Sequence, residues 1–222
     1  MLVPTPSCCQ THQRRGDDRH RPAWPRLVML RHGVTTYPPG TYLGSRTDPP
    51  LSPQGERQAL EARGTLDRLD LSVVVVSPLR RAMQTASLAV PPAVAQARRR
   101  VDGRLQEQDL GDYSGLTWEE IKRLDREAAR AWRGGAAAPG GESAGQMWRR
   151  TIEAALEIAT GLPGGADALI VSHSGPIRAL LAGARGLTPA DVRRIRVPHG
   201  RLRSVRLTPS VLRRWQEIVA RT

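Results

Sequence analysis

The 222-residue chain contains no phenylalanine and no asparagine, and Lys122 is its only lysine. Aromatic residues make up 4%, too few to interleave with basic side chains as a base-stacking surface for nucleic acid. The two cysteines, Cys8 and Cys9, are adjacent and close to the N-terminus. That placement excludes a disulfide framework and leaves no metal-ligand spacing among thiols. No apolar run approaches the roughly 20 residues needed to cross a bilayer. The N-terminus also lacks a basic segment followed by an apolar core, so no secretory signal is expected and the cytoplasm is the default location.

What the chain does have is positive charge, formally +13, carried almost wholly by arginine. The arginines are spread over the whole length, which fits a coding bias better than a binding stripe. Neither nucleic acid nor membrane is expected as a partner, although the net charge would concentrate anionic small molecules. The length suits one α/β domain with a substantial core, acting as a monomer or homodimer.

Residues 1–25 carry Pro, Arg, Asp, Gln and His without apolar periodicity and read as a disordered extension; His12 and His20 in it are read as solvated side chains, with a two-histidine metal site as the alternative. The domain proper is expected over 26–222. It opens with Leu27-Val28-Met29-Leu30, an apolar run ending on Arg31-His32-Gly33: a buried strand that delivers polar side chains at its C-terminal edge. A Pro-, Gly- and Thr-rich loop follows from Val34 to Pro50. Ser52-Pro53 then caps a helix with Ala59, Ala62, Leu66 and Leu69 on one face. Val73 to Val76 has no polar alternation and predicts a parallel strand buried on both sides. Ser77-Pro78 reads as a second cap for a helix to about Ala89, with Arg80 and Arg81 in its first turn.

A short strand is expected near Ala93 to Ala97. Trp118, Ile121, Leu124, Ala128 and Trp132 fit the stripe of one amphipathic helix. Trp148, Ile152, Ala155, Leu156 and Ala159 fit another, after a Gly-, Ala- and Pro-rich loop over 134–145. Ala168 to Val171 repeats the opening logic and ends on Ser172-His173, with Ser174-Gly175-Pro176 starting a helix to about Ala184. Thr188 to Asp191 has the form of a capping box before a short helix. Arg203 to Thr208 alternates as a late edge strand, and 211–219 fits strand or helix. The alternation predicts an α/β three-layer sandwich: a mostly parallel central sheet, helices on both faces and a helical lid insertion at about 100–150.

Two histidines, Arg31 and at least one of Arg80 and Arg81 therefore meet at one sheet edge. Clustered guanidiniums suit a dianionic phosphate, and their charge keeps a nearby histidine neutral and nucleophilic. A histidine that attacks phosphorus splits the reaction into two displacements, and the leaving oxygen then needs an acid.

Arg31-His32-Gly33-Val34-Thr35 resembles the signature of the histidine phosphatase superfamily, which includes the cofactor-dependent phosphoglycerate mutases. Gly44, Asp48, Pro50-Leu51-Ser52 and Gly55 match residues usual downstream of that signature. Ser77 to Ala86 resembles the second motif and points to Arg81 rather than Arg80. Leu105 to Gly115 resembles the acid-bearing segment, Pro139 to Ser143 a Gly-Glu-Ser segment, and Ser172 to Gly175 the second-histidine motif. By this resemblance His32 is the nucleophile, Arg31, Arg81 and His173 hold the phosphoryl oxygens, and Glu107 protonates the leaving alcohol and then activates water. No metal or other cofactor is implied.

The chain departs from the family pattern at two points. Many members place an asparagine after the first motif to help hold the phosphate; here Thr35, Thr36, Tyr37 or Ser45 would have to substitute, with Ser174 as a further substrate contact. The acid segment continues Asp112-Tyr113-Ser114-Gly115, closer to the phosphatases than to the mutases. The resemblance thus implies a metal-independent phosphomonoesterase for a small phosphorylated metabolite. Tyr42-Leu43-Gly44 and the Pro139 to Ser143 segment are similar to those of alpha-ribazole phosphatases. The alternatives are a phosphoglycerate mutase and a phosphoanion-binding module without turnover. His199 is read as a structural or rim residue.

Overall fold

The computed structural model describes residues 24–95, 98–162, 166–188 and 191–222. The extension expected over 1–25 lies almost wholly outside them. In chain order the elements are β1 (Arg26–Arg31), β2 (Thr41–Tyr42), α1 (Pro53–Leu66), β3 (Leu71–Val76), α2 (Arg80–Ala89), α3 (Pro92–Ala95), β4 (Arg98–Val101), β5 (Leu116–Thr117), α4 (Trp118–Leu124), α5 (Arg126–Arg133), α6 (Ala144–Thr160), β6 (Asp167–Ser172), α7 (Ser174–Arg185), β7 (Leu202–Arg206) and α8 (Pro209–Arg221).

The main sheet runs β4-β3-β6-β1-β7, with the first four strands parallel and β7 antiparallel at one edge. Its alternating side chains feed two cores. Val28, Leu30, Val74, Val76, Leu169 and Val171 face α1 and α2, and meet Ala59, Ala62, Leu66, Ala82 and Ala86. Leu27, Met29, Val75, Ala168 and Ile170 face α6, α7 and α8, and pack on Ile152, Ile158, Leu180 and Trp215. Each fully buried Val, Leu, Ile or Met side chain among them contributes about 1.5–3 kcal/mol. The architecture is the three-layer α/β sandwich.

A third, smaller core of Leu110, Tyr113, Ile121, Ala129 and Ala138 gathers Tyr42, Trp118 and Trp132. It is built from the chain between β4 and α6 together with β2, which pairs with β5. Trp132 is its hub, with ring centroids of Tyr42 and Tyr113 at 5.1 and 5.5 Å.

Several local expectations are corrected. The helix expected across Trp118 to Trp132 is two, because Asp125 takes an extended backbone (φ −157°) and its side chain caps α5, accepting from the backbone N–H groups of Glu127 and Ala128. Ala129 is buried in place of Ala128, and Leu124 is exposed. The strand expected at 93–97 lies later, as β4, after a turn of helix. Ser77 does not cap α2. That end is capped over a long range by Asp48, whose carboxylate accepts from the backbone N–H groups of Arg80 (2.6 Å) and Arg81 (3.5 Å). Residues 211–219 are helical, within α8. Of the segment read as a capping box, 189–190 lie outside the described residues.

Candidate active site

The C-terminal ends of β3, β6 and β1, three neighbours in the sheet, are laced together at one level. His32 N–H donates to Ser172 O (3.0 Å), Ser77 N–H to Val171 O (3.0 Å) and Gly200 N–H to Arg31 O (3.1 Å). This is the edge at which a doubly wound sheet binds ligands. A cavity of about 820 Å³ opens there, bordered by Arg31, His32, Thr35, Arg81, Glu107, Ser174 and His199.

His32 is buried, and its Nδ1 lies 2.7 Å from the Gly33 carbonyl oxygen. A carbonyl only accepts, so Nδ1 carries the ring hydrogen and the lone pair sits on Nε2. Burial, reinforced by the Arg31 and Arg81 guanidiniums, holds this imidazole well below its ordinary pKa and therefore neutral. The loop that places it needs glycine at two facing positions: a Cβ on Gly33 would run into the Gly55 backbone, and one on Gly55 into Val34. Gly33 N–H is held by Thr85 Oγ1 at 3.1 Å.

Arg81 is 1% exposed, a cation inside the protein. Its Nη1 donates to Thr47 O (2.9 Å) and Asp48 Oδ1 (3.1 Å) and its Nη2 to Gly44 O (2.7 Å). Arg31 Nη1 donates to Val197 O at 2.7 Å. Burial pulls the Arg31 pKa down to about 10, which leaves it charged at neutral pH. Nε of both arginines is buried without a hydrogen-bond partner among the described residues. Buried donors of this kind are costly unless an anion meets them.

Glu107 stands opposite, its Oε1 accepting from Gln108 N–H (3.0 Å) and Gly175 N–H (3.1 Å), its Oε2 from Ser174 Oγ (3.1 Å). The segment that carries it is stapled to α6 by Arg150. Arg150 Nη1 donates to Arg104 O (2.7 Å) and Gln106 O (2.9 Å), Nη2 to Glu107 O (3.1 Å), and the same guanidinium pairs with Glu142. Ser172 Oγ adds a bond to Leu105 O at 2.7 Å. A Cβ on Gly175 would strike the Glu107 carboxylate, so the glycine leaves the acid in place.

His173 is fully buried, 5.1 Å from His32 between ring centroids, and is not among the residues that line the cavity. Its Nε2 meets Ser77 Oγ at 2.8 Å and its Nδ1 has no partner among the described residues. Burial and the neighbouring histidine and arginines keep it well below its ordinary pKa.

Of the residues expected here, His32, Arg31, Arg81, Glu107, Thr35 and Ser174 border one cavity. Ser174 is spent on Glu107. Ser45 departs from expectation: its N–H donates to Gln108 O, and it lines a separate smaller cleft with Asp109, Glu142 and Arg150. Thr36 is not among the lining residues, whereas Tyr37 is. Sequence reasoning missed Ser77 as a partner of His173, Asp48 as cap and counter-ion, and Arg150 as a staple. Ser77 could have been found from its place at the same strand edge as the histidines. Arg150 carries no local signal, because a helical arginine is ordinarily solvated.

The profile of the histidine phosphatase superfamily (branch 1) matches residues 27–217. The chain belongs to that superfamily. A glucosyl-3-phosphoglycerate phosphatase of Mycobacterium tuberculosis is 38% identical over 176 residues, covering 75% of this chain and 78% of the relative. A 2,3-bisphosphoglycerate-dependent phosphoglycerate mutase of Cytophaga hutchinsonii is more distant, 29% identical over 180 residues, covering 79% and 84%. Among solved structures, a mycobacterial glucosyl-3-phosphoglycerate phosphatase superposes with a TM-score of 0.70 at 33% identity, covering 81% of this chain and 90% of that one. The alpha-ribazole phosphatase of Shigella flexneri gives 0.73 at 27% identity, covering 83% and 92%. With phosphatases nearer than mutases, the chain is a phosphomonoester hydrolase of this superfamily. No described helix is long and apolar enough to cross a membrane.

Proposed function

We propose that the protein hydrolyses a small phosphorylated metabolite through a phosphohistidine on His32. The observation that carries this reading is the pinned tautomer. Nδ1 of His32 is tied to a carbonyl, so a neutral Nε2 is left beside two buried guanidiniums whose Nε donors have no partner among the described residues.

Nε2 attacks phosphorus in line, and the bond from phosphorus to the ester oxygen breaks. Glu107 gives its proton to that oxygen, and the alcohol leaves. As a carboxylate it then takes a proton from water, whose oxygen displaces His32 and yields inorganic phosphate. Arg31 and Arg81 meet the equatorial oxygens as charge builds on them. His173 completes the cradle through Nδ1 when Ser77 donates its hydroxyl hydrogen to Nε2.

Beyond the phosphate, the cavity has room for a sugar-sized alcohol against Tyr42, Trp132 and Trp148, with Arg178 in its wall. That size and the relatives' activity make glucosyl-3-phosphoglycerate the first substrate to test, with alpha-ribazole phosphate and 3-phosphoglycerate as comparators. Phosphate release is expected with a chelator present, together with acid-labile, base-stable labelling of His32 by radioactive substrate. Undiminished turnover in His32→Ala would end this reading.

A further inference from the structure

The fold leaves one imidazole in the cavity without a role. His199 lies in the connection from α7 to β7 and packs edge-on against His32, with ring centroids 5.1 Å apart at 67°. Its Nδ1 lies 3.0 Å from the His32 carbonyl oxygen. As with His32, a carbonyl partner fixes the hydrogen on Nδ1 and leaves the lone pair on Nε2. Besides that contact the Gly33 backbone lies within reach of the ring; no hydrogen bond of the described residues engages Nε2, and His199 borders the cavity.

The groups around it are nearly all cationic or neutral. Arg31 and His32 come from the end of β1, Arg81 from α2 and Arg178 from α7, with His173 against the His32 ring; Glu107 is the one carboxylate among the described residues that line the cavity. In the free protein, burial and the Arg31 guanidinium press the imidazole down to about 4, so it is neutral. A neutral Nε2 lone pair facing phosphoryl oxygens repels them unless a proton lies between the two.

We propose that His199 is a phosphate-binding residue that shares a proton with the phosphoryl group: Nε2 pairs with one phosphoryl oxygen through a hydrogen that enters with the ligand and departs with product. The proton arrives on the ester monoanion or is drawn from solvent with the dianion; the bound composition is the same. His199 thereby joins Thr35 and Tyr37 of the cavity wall in the place of the asparagine usual after the first motif, whereas Ser45 lines the other cleft. The proposal rests on the phosphatase reading for the ligand's identity, but its test is equilibrium binding and requires no turnover.

The experiment is titration calorimetry of the full chain with inorganic phosphate, across pH 6 to 9 and in two buffers of different ionisation enthalpy. Above the second pKa of phosphate, uptake of about one proton per phosphate is expected, with affinity falling about tenfold per pH unit. His199→Gln should bind phosphate with no linked uptake and a flat pH profile, because an amide donates without taking a proton; His199→Asn guards against a folding failure in the first variant. Wild-type protein without proton uptake would overturn the proposal, as would a slope that persists in both variants. A slope that disappears instead in Glu107→Gln would place the shared proton on the carboxyl and also overturn it. A failure of the hydrolase reading appears elsewhere, as the absence of phosphohistidine at His32.

Discussion

The two histidine-bearing strand ends lie side by side and differ in what ties the ring. β1 and β6 are parallel neighbours, with Arg31 opposite Ser172. Both are followed by a buried imidazole kept neutral by burial and by the same arginines. At the first, a backbone carbonyl holds Nδ1, which can only accept and so fixes the tautomer whatever the ligand does. At the second, a serine hydroxyl holds Nε2, and a hydroxyl can donate or accept. His32 is thus preset as a nucleophile, whereas His173 adapts to whatever meets Nδ1. One strand end is built for attack and the other for accommodation.

The largest expected effects separate those roles. His32→Ala should lower kcat by at least about 10⁴-fold, since the attacking lone pair is gone. His173→Ala should cost about 10²- to 10³-fold, the usual loss for one preorganised donor. Rapid-quench trapping of the phosphoenzyme checks the distinction: none in the first variant, slow accumulation in the second. Equal losses with no phosphoenzyme in either would erase the contrast.

The glycines beside the two histidines sharpen it. Gly33 abuts the backbone of Gly55, which cannot yield, while Gly175 abuts the Glu107 side chain, which can swing. Gly33→Ala should therefore cost on the order of 1–3 kcal/mol or more of stability, as overpacking does. Gly175→Ala should remain folded and lose kcat by displacing the acid. Urea denaturation alongside kinetics separates them. Ser77→Ala should reduce kcat by about tenfold and cost about 1–3 kcal/mol of stability, because His173 Nε2 is left buried without its partner. Among the described residues no serine plays that part for His32.

The smallest effect is on pH dependence. His32, His173 and His199 all titrate below 6.5 in the native state, His199 at about 4, and near 6.5 when unfolded. As pH falls from 6.5, the unfolded chain takes up protons that the native site refuses. Stability is therefore full above pH 6.5 and declines toward pH 4, by up to about 1.4 kcal/mol per pH unit for each group. Replacing His199 with Gln should make that decline shallower in urea titrations at pH 7 and pH 5. An unchanged slope would count against the environment described for that ring.

Much of this was legible one residue at a time. Leu27 to Leu30 and Ala168 to Val171 declare strands buried on both faces, because uninterrupted apolar runs have no other stable setting at that length. The motif order named the family and, with it, Arg81 over Arg80. What escaped were features whose partners are distant in sequence. Ser77-Pro78 has the local form of a cap, yet the cap of α2 comes from Asp48, 32 residues before Arg80. Asp125 divides a helix whose apolar stripe alone looked continuous. β4 consists of Arg98-Arg99-Arg100-Val101, with no strand pattern, and exists because β3 offers it an edge.

The sequence by itself therefore determined the layers of the fold and the chemistry available at the sheet edge, since apolar periodicity and side-chain type are local properties. Tertiary structure alone decided which nitrogen of each imidazole is free, that Arg150 holds the acid-bearing segment, that Ser45 is elsewhere, and that His199 looks into the cavity. Tautomer, burial and charge balance are properties of a neighbourhood, and the chain acquires neighbourhoods only by folding.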